Sequence, residues 1–352
     1  MSTEALLAHL REQMAYCQLF GSPFTAELCE RFAEDLEAGG PTADLIGGWA
    51  GNPRGDAVAL RLAGALHAAV LMGKDAALAA AYPAAKPDWR MAEVWPLARA
   101  FLAREHEWVA AFITSPPQTN ETRRSIALLA GFLAFAAKHG RPVDMLELGA
   151  SAGLNLNWDR FRYETPTWVW GPESSVLITN DWNAPVPHIE APLVVRRRAA
   201  CDVNPLNISD PQQRLQLRSY VWPDQPDRLA RFDGAVELAL KSPDRVERAD
   251  AGEWIARKLA ERDRSAPLIV YHSVFLQYPP RETQQVIQSA IEAAGAVATD
   301  AGPLAWVRLE PEELIDGVKG SPRMVADMIT WPGGERRVLG HTDGHVRAFY
   351  GV

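Results

Sequence analysis

Three sets of residues have the types and spacing for chemistry. The first is "MLELGASAGLNLNWDRF", Met145 to Phe161. Within it, Gly149-Ala150-Ser151-Ala152-Gly153 satisfies G-x-S-x-G, the turn that presents a serine nucleophile. The same residues, preceded by Glu147, also suit the first loop of a nucleotide-type fold, where glycines let the backbone touch a cofactor. The second set is the acids that close apolar runs: Asp202 after "LVVRRRAAC" and Asp250 after "RVERA". An ionised carboxylate at such a place can accept two hydrogen bonds from a diol, or it can cap the next helix. The third is Tyr271-His272, which follows the apolar run "PLIV". Histidine is the side chain best suited to move a proton near neutrality.

These residues need elements to position them. Up to about Gly140 the text is helical. "TEALLAHLREQMAYCQLF" carries an apolar stripe at helical spacing, and "SPFTAELCERFAEDLEAGG" has Pro23 near its start and two glycines after its end. "GDAVALRLAGALHAAVLMG" offers Asp56 as a cap, and "MAEVWPLARAFLAREHEWVAAFI" invites a break at Pro96. "TNETRRSIALLAGFLAFAAKHG" reads as a helix capped by Thr119 or Asn120 and closed by Gly140.

After Arg141-Pro142 short apolar runs alternate with helical text, which argues for a parallel sheet. The tail reads as a hairpin turned at Pro332-Gly333-Gly334, then one more strand. The expectation is an α/β chain: an all-α domain over residues 1–140, then a Rossmann-like, mostly parallel sheet over 141–352 with an antiparallel last strand. An insertion rich in tryptophan, at about 162–192, interrupts the alternation as two short antiparallel strands or a loop.

Composition narrows the function classes. The chain has 352 residues, 47% of them hydrophobic, ample for two cores. Net charge is −8, so no basic footprint for nucleic acid exists beyond short runs such as Arg196-Arg197-Arg198. The three cysteines, Cys17, Cys29 and Cys201, have no zinc-like spacing and argue against a disulfide scaffold. No window is apolar enough for a membrane helix, and the first residues lack a secretory layout. The expectation is a cytoplasmic protein with a small-molecule ligand, no metal, and neither nucleic acid nor membrane as partner.

From about Val143 onward the chain resembles the class I S-adenosylmethionine-dependent methyltransferases. "ELGASAG" looks like that family's first loop, with Ser151 where a glycine is usual. "AACDVNPL" looks like the end of its second strand and "ADAGEW" like its third-strand loop. The resemblance implies S-adenosylmethionine as cofactor. It implies that Glu147, Gly149, Ala150, Ser151 and Gly153 line the cofactor loop, that Asp202 takes the ribose hydroxyls, and that Asp250 and Ala251 read the adenine. Methyl transfer is an in-line displacement, so a base is needed only when the acceptor must lose a proton. His272 is the candidate base, with Tyr271 beside it as the second catalytic candidate. Tyr278, and Gln118 and Asn120 of "PPQTNETRRS", are candidates for holding the acceptor, an unknown small molecule. The whole chain also resembles an uncharacterised bacterial family, a domain of unknown function, through "QTNETRRS", "ELGASAGLNLNWDRFRY", "CDVNPLNISDPQQRLQLRSYVWPDQPDRLARF" and "YHSVFLQY".

Two further readings stay open. One is a domain of the same fold that binds a nucleotide-like ligand or a partner without catalysis. The other is a serine hydrolase, with Ser151, Asp316 and His341 or His345 as its triad. Everything before Met145 reads as helix, so no earlier strand carries an oxyanion loop, and the cradle is the preferred reading.

Overall fold

The structure, a computed structural model, describes residues 3–118, 120–182 and 184–351. Eight α-helices precede the first strand among the described residues: α1 (Thr3–Leu19), α2 (Pro23–Glu37), α3 (Pro41–Ile46), α4 (Val58–Leu71), α5 (Ala76–Ala81), α6 (Met91–Arg104), α7 (His106–Phe112) and α8 (Ser125–His139). Stripes from α1, α2, α4 and α6, with Leu6, Leu10, Phe24, Phe32, Leu62, Leu66 and Phe101, share one buried core. Ser22 starts α2 by accepting the Thr25 amide, and Pro23 follows at the position where a missing N–H costs nothing.

Local expectation fails at two helix ends. Pro96 lies inside α6, which runs on because Val94, Ala98, Phe101 and Leu102 are buried on one face; the break comes at Glu105 instead. Asp56 does not cap α4, because its carboxylate accepts the Trp49 indole N–H at 2.9 Å.

The chain divides into two compact units, residues 1–119 with 209–230, and residues 120–208 with 231–352. This differs from a boundary at residue 140, and packing explains both differences. α8 lies on the sheet: a Cβ on its Gly131 would come within 2.9 Å of Val307 and 3.0 Å of Leu339. The segment holding α9 (Pro211–Ser219) belongs with the helices. Tyr220 fills the space beside Gly64, and Asp224 accepts Ser22 Oγ at 2.6 Å and the Phe24 amide at 2.9 Å. Trp222 and Tyr220 line a void of about 20 Å³ in this unit, the volume of roughly one water.

Among the described residues, the second unit holds eleven strands. They are β1 (Val143–Leu148), β2 (Arg162–Glu164), β3 (Val169–Trp170), β4 (Leu177–Thr179), β5 (Val195–Asp202), β6 (Val246–Arg248), β7 (Leu268–Ser273), β8 (Leu304–Pro311), β9 (Met324–Trp331), β10 (Glu335–Thr342) and β11 (Phe349–Gly351). The main sheet has the order β11-β10-β9-β8-β7-β1-β5-β6. Pairing is parallel from β6 through β8 and antiparallel from β8 through β11. The architecture is therefore α/β, with helices before a mostly parallel sheet that ends in an antiparallel edge.

β1 and β7 are covered on both faces, so burial is nearly continuous along them rather than alternating. One face packs on α8. The other carries α11 (Ala251–Ala260) and α12 (Arg281–Ala296), where Leu146, Val270, Trp254, Ile287 and Trp306 share a core. Two remaining helices are α10 (Pro226–Lys241) and α13 (Glu312–Asp316).

The insertion forms its own three-stranded sheet, β3-β2-β4. The first expected strand folds back on itself as the antiparallel pair β2 and β3, and the second, β4, joins the other side of β2 in parallel rather than antiparallel. Trp170 stacks on Trp158, and Trp168 meets Trp182 edge-on, which explains why the segment is rich in tryptophan.

Candidate functional site

The chain leaves β1 for β5 and β6 on one side, then returns to β7 and β8 on the other. The switch between β1 and β7 is where open parallel sheets bind ligands, at the carboxyl ends of the strands. The loop that leaves β1 there is Gly149 to Gly153. Three of its residues have left-handed backbone: Gly149 at φ +68°, Ser151 at +53° and Gly153 at +75°. The middle position is thus one that favours glycine, and Ser151 holds it at a cost of about 1–2 kcal/mol.

The loop amides are spent within the protein. The Ala150 amide donates to Cys201 O at 3.1 Å and the Gly153 amide to Ala150 O at 2.8 Å. The Ser151 amide donates to Asp202 Oδ2 at 2.8 Å. Asn120 takes two more: its Oδ1 accepts the Ala152 amide at 3.1 Å and the Leu154 amide at 3.2 Å, while its Nδ2 donates to Ala150 O at 3.1 Å. One side-chain amide therefore clamps three backbone groups of the loop. Asn120 does not cap α8, and Thr119, the other residue expected to cap it, lies outside the described residues.

Gly149 has a second constraint. A Cβ there would fall 2.2 Å from Cδ2 of Phe275. Close approach to this glycine is used by an aromatic ring from the β7 exit loop.

Asp202 ends β5 half-buried. Besides the Ser151 amide it accepts the Asn204 amide on Oδ1 at 2.8 Å. Each oxygen keeps a further lone pair. Asp250 ends the segment after β6 and caps α11, accepting the Gly252 and Glu253 amides at 2.8 and 3.1 Å. Ala251 is buried as the first residue of that helix.

Glu147 and Tyr271 face each other across the β1–β7 pair, and the Tyr271 hydroxyl donates to Glu147 Oε2 at 3.2 Å. Both are buried on the α8 face, where Phe132 meets the Tyr271 ring edge-on. Burial pushes the Glu147 carboxyl up to about 8; the Tyr271 hydrogen bond opposes this and the charge of Asp202 adds to it. Burial, with Glu147 beside it, raises the Tyr271 phenol well above its ordinary value.

His272 corrects the expectation of a base at the rim. It lies within β7 rather than after it, points to the α11–α12 face opposite Tyr271, and is 0% exposed. The Trp306 indole N–H donates to its Nε2 at 3.0 Å, so the ring proton sits on Nδ1, 2.6 Å from Glu310 Oε1. Glu310 also accepts the Phe275 amide at 2.9 Å and the Leu276 amide at 3.2 Å. With both nitrogens engaged, His272 holds Glu310, which holds the loop that carries Phe275. It is a positioning residue, legible only once the strand's facing layers are known.

The remaining candidates are dispersed. Tyr278 is 74% exposed on the β7 exit loop, and Gln118 belongs to the helical unit. Asp316 pairs with Arg336 at 2.9 Å, while His341 lies 3.8 Å from Glu312. Two participants were missed by sequence reasoning: Phe275, and Asn120 as a loop clamp. The signal for Asn120 was its place in the polar run before α8; Phe275 gave none beyond its nearness to the strand end.

Neither the curated proteins nor the solved structures compared with this chain provide a match. A family model does, from residue 8 to residue 350, and the chain belongs to that family, described as "Uncharacterized protein conserved in bacteria (DUF2332)".

Proposed function

We propose that the sheet unit binds S-adenosylmethionine and transfers its methyl group to a small acceptor. The observation that carries the reading is the Gly149 loop, Asp202 and Asp250 at the carboxyl ends of three neighbouring parallel strands, β1, β5 and β6. Asp202 fits a ribose diol, because it is half-exposed and each of its oxygens has spent only one lone pair on an amide. Asp250 is exposed and has only Oδ1 committed to its helix cap; its Oδ2 meets only Thr283 Oγ1, at 3.5 Å. The cofactor would supply an electrophilic methyl on a sulfonium. This chain's residues would hold its nucleoside end and fix its direction. His272 has no part in proton transfer, so the acceptor in this reading is a group that needs no buried base.

Calorimetry with S-adenosylmethionine and S-adenosylhomocysteine tests the proposal. Both should bind, and Asp202→Ala should weaken binding by about 1–3 kcal/mol. Absence of binding at millimolar ligand ends the cofactor reading.

A second reading, ligand binding without transfer, is favoured by one observation. The loop amides from Ala150 to Leu154 all donate within the protein, and Phe275 covers Gly149. Transfer of labelled methyl to any component of a metabolite extract separates the two readings.

A further inference from the structure

Three segments of the sheet unit line an open cavity of about 380 Å³, within the range of small-molecule sites. They are the single 3₁₀ turn Thr122–Arg124 ahead of α8, the ends of insertion strands β2 and β4, and the loop between β10 and β11. Hydrogen bonds tie the walls together. The Asn180 amide donates to Glu164 O at 3.4 Å, Asn180 Nδ2 to Val346 O at 2.6 Å, and the Asp181 amide to Arg347 O at 3.1 Å. The cavity is framed by the fold and is not slack between loops.

Its lining is almost wholly polar: Arg123, Glu164, Thr179, Asn180, Asp181 and Arg347. Two of these charges are matched inside the protein, Glu164 by Arg162 at 3.2 Å and Arg347 by Asp343 at 2.9 Å. Arg123 and Asp181 are not. Neither side chain has an ion-pair partner among the described residues. Asn180 is 5% exposed, yet its Oδ1 has no donor in the protein, and the Nε–H of Arg123 has no acceptor. Buried polar atoms are nearly always met, so an unmet donor on the 3₁₀ turn and an unmet acceptor at the end of β4, both on residues that line the cavity, point to a partner from outside the chain.

The charge pattern selects the partner. A phosphate or dicarboxylate would meet Glu164 and Asp181 as well as the arginines. A polyamine would meet both arginines. A molecule carrying one carboxylate and one ammonium satisfies both signs at once, with the guanidinium taking the carboxylate and Asp181 the ammonium. We propose that this cavity binds a small zwitterion of the α-amino-acid type, its carboxylate on Arg123 and its ammonium on Asp181. The proposal does not depend on the cofactor reading.

Calorimetry on the full chain tests it with L-serine, L-glutamine and L-alanyl-L-alanine. At least one should bind saturably. For the zwitterion that binds, its methyl ester (ammonium only) and its N-acetyl form (carboxylate only) should each bind at least about tenfold more weakly, the scale of one lost charge-assisted hydrogen bond. Arg123→Gln and Asp181→Asn should each cause a loss of similar size, and circular dichroism should show both variants folded, since neither breaks an internal ion pair. Arg123→Lys retains the charge and should lose less than Arg123→Gln. No saturable binding by any of the three zwitterions overturns the proposal. So does equal binding of the ester or the acetyl form, or unchanged affinity in folded Arg123→Gln and Asp181→Asn.

Discussion

Gly149 is the residue where conformation and contact coincide. Its φ of +68° is unfavourable for any side chain, and the ring of Phe275 occupies the direction a Cβ would take. Gly149→Ala should therefore destabilise the protein by about 2–4 kcal/mol, the sum of left-handed strain and overpacking. Adding Phe275→Ala removes the clash and leaves the strain. The double variant should then be more stable than the sum of the two single losses predicts, and urea denaturation of the four proteins measures the difference. Strict additivity would mean that Phe275 is not seated on the loop. Asn120 offers an independent test. Asn120→Ala leaves the amides of Ala152 and Leu154 without their acceptor, and should cost about 1–3 kcal/mol in the same assay.

At the scale of elements, strand parity governs what each side chain can do. Tyr271 and His272 are neighbours in β7, yet they face different layers. The trio of Trp306, His272 and Glu310 anchors the β7 exit loop, whose Val274 has a φ of +52°. His272→Ala leaves the buried Glu310 carboxylate with only backbone donors. It should destabilise the protein by about 1.5–3 kcal/mol and raise amide hydrogen exchange at Phe275 and Leu276. Unchanged exchange at those two amides would contradict an anchoring role. Helix packing sets a similar limit at Gly295 of α12, where a Cβ would lie 2.4 Å from the Trp331 ring of β9. A rigid indole cannot yield as a flexible chain would, so Gly295→Val should cost about 1–3 kcal/mol or more by thermal melting.

For the molecule as a whole, two buried groups set opposite arms of the pH–stability profile. Glu147, pushed up to about 8 chiefly by burial, keeps its proton in the fold where the unfolded chain has released it. Its contribution to stability is therefore greatest below the ordinary carboxyl range and is lost as pH rises toward about 8, by at most about 1.4 kcal/mol per pH unit. His67 acts in the other direction. Burial lowers its pKa from 6.5 to about 4, against the opposing effect of the Ser219 carbonyl 3.1 Å from Nδ1. Below 6.5 the unfolded chain takes up a proton that the native state refuses, so stability falls as pH drops toward 4. Urea midpoints across this range should fall at both ends. Between pH 4.5 and 6.5 the two slopes oppose each other, so Glu147→Gln should remove the fall toward pH 8 and start the acid fall at higher pH, whereas His67→Gln should weaken the acid fall and leave the loss toward pH 8 in place. An alkaline slope that persists in Glu147→Gln would assign it to another group.

Much of the architecture was legible in the residues because its signals are local. Helical periodicity before Gly140, strand-length apolar runs after Pro142, the Pro332-Gly333-Gly334 turn and the glycine loop each depend on neighbours a few positions away. The acids Asp202 and Asp250 were legible too, as residues that end strand-like runs on one rim. What the tertiary structure alone decided is which layer each side chain meets. His272 is sealed by Trp306 and Glu310, 34 and 38 residues away. Asn120 closes on a loop 30 to 34 residues later, and Asp224 returns 202 residues to cap α2 through Ser22. Such contacts leave no periodic mark, because a strand buried on both faces reads the same whichever way its side chains point. The chain's own pattern settles where strands and helices occur; the packing of distant segments settles which polar groups are spent on the fold and which, like Arg123 and Asp181, remain to meet a ligand.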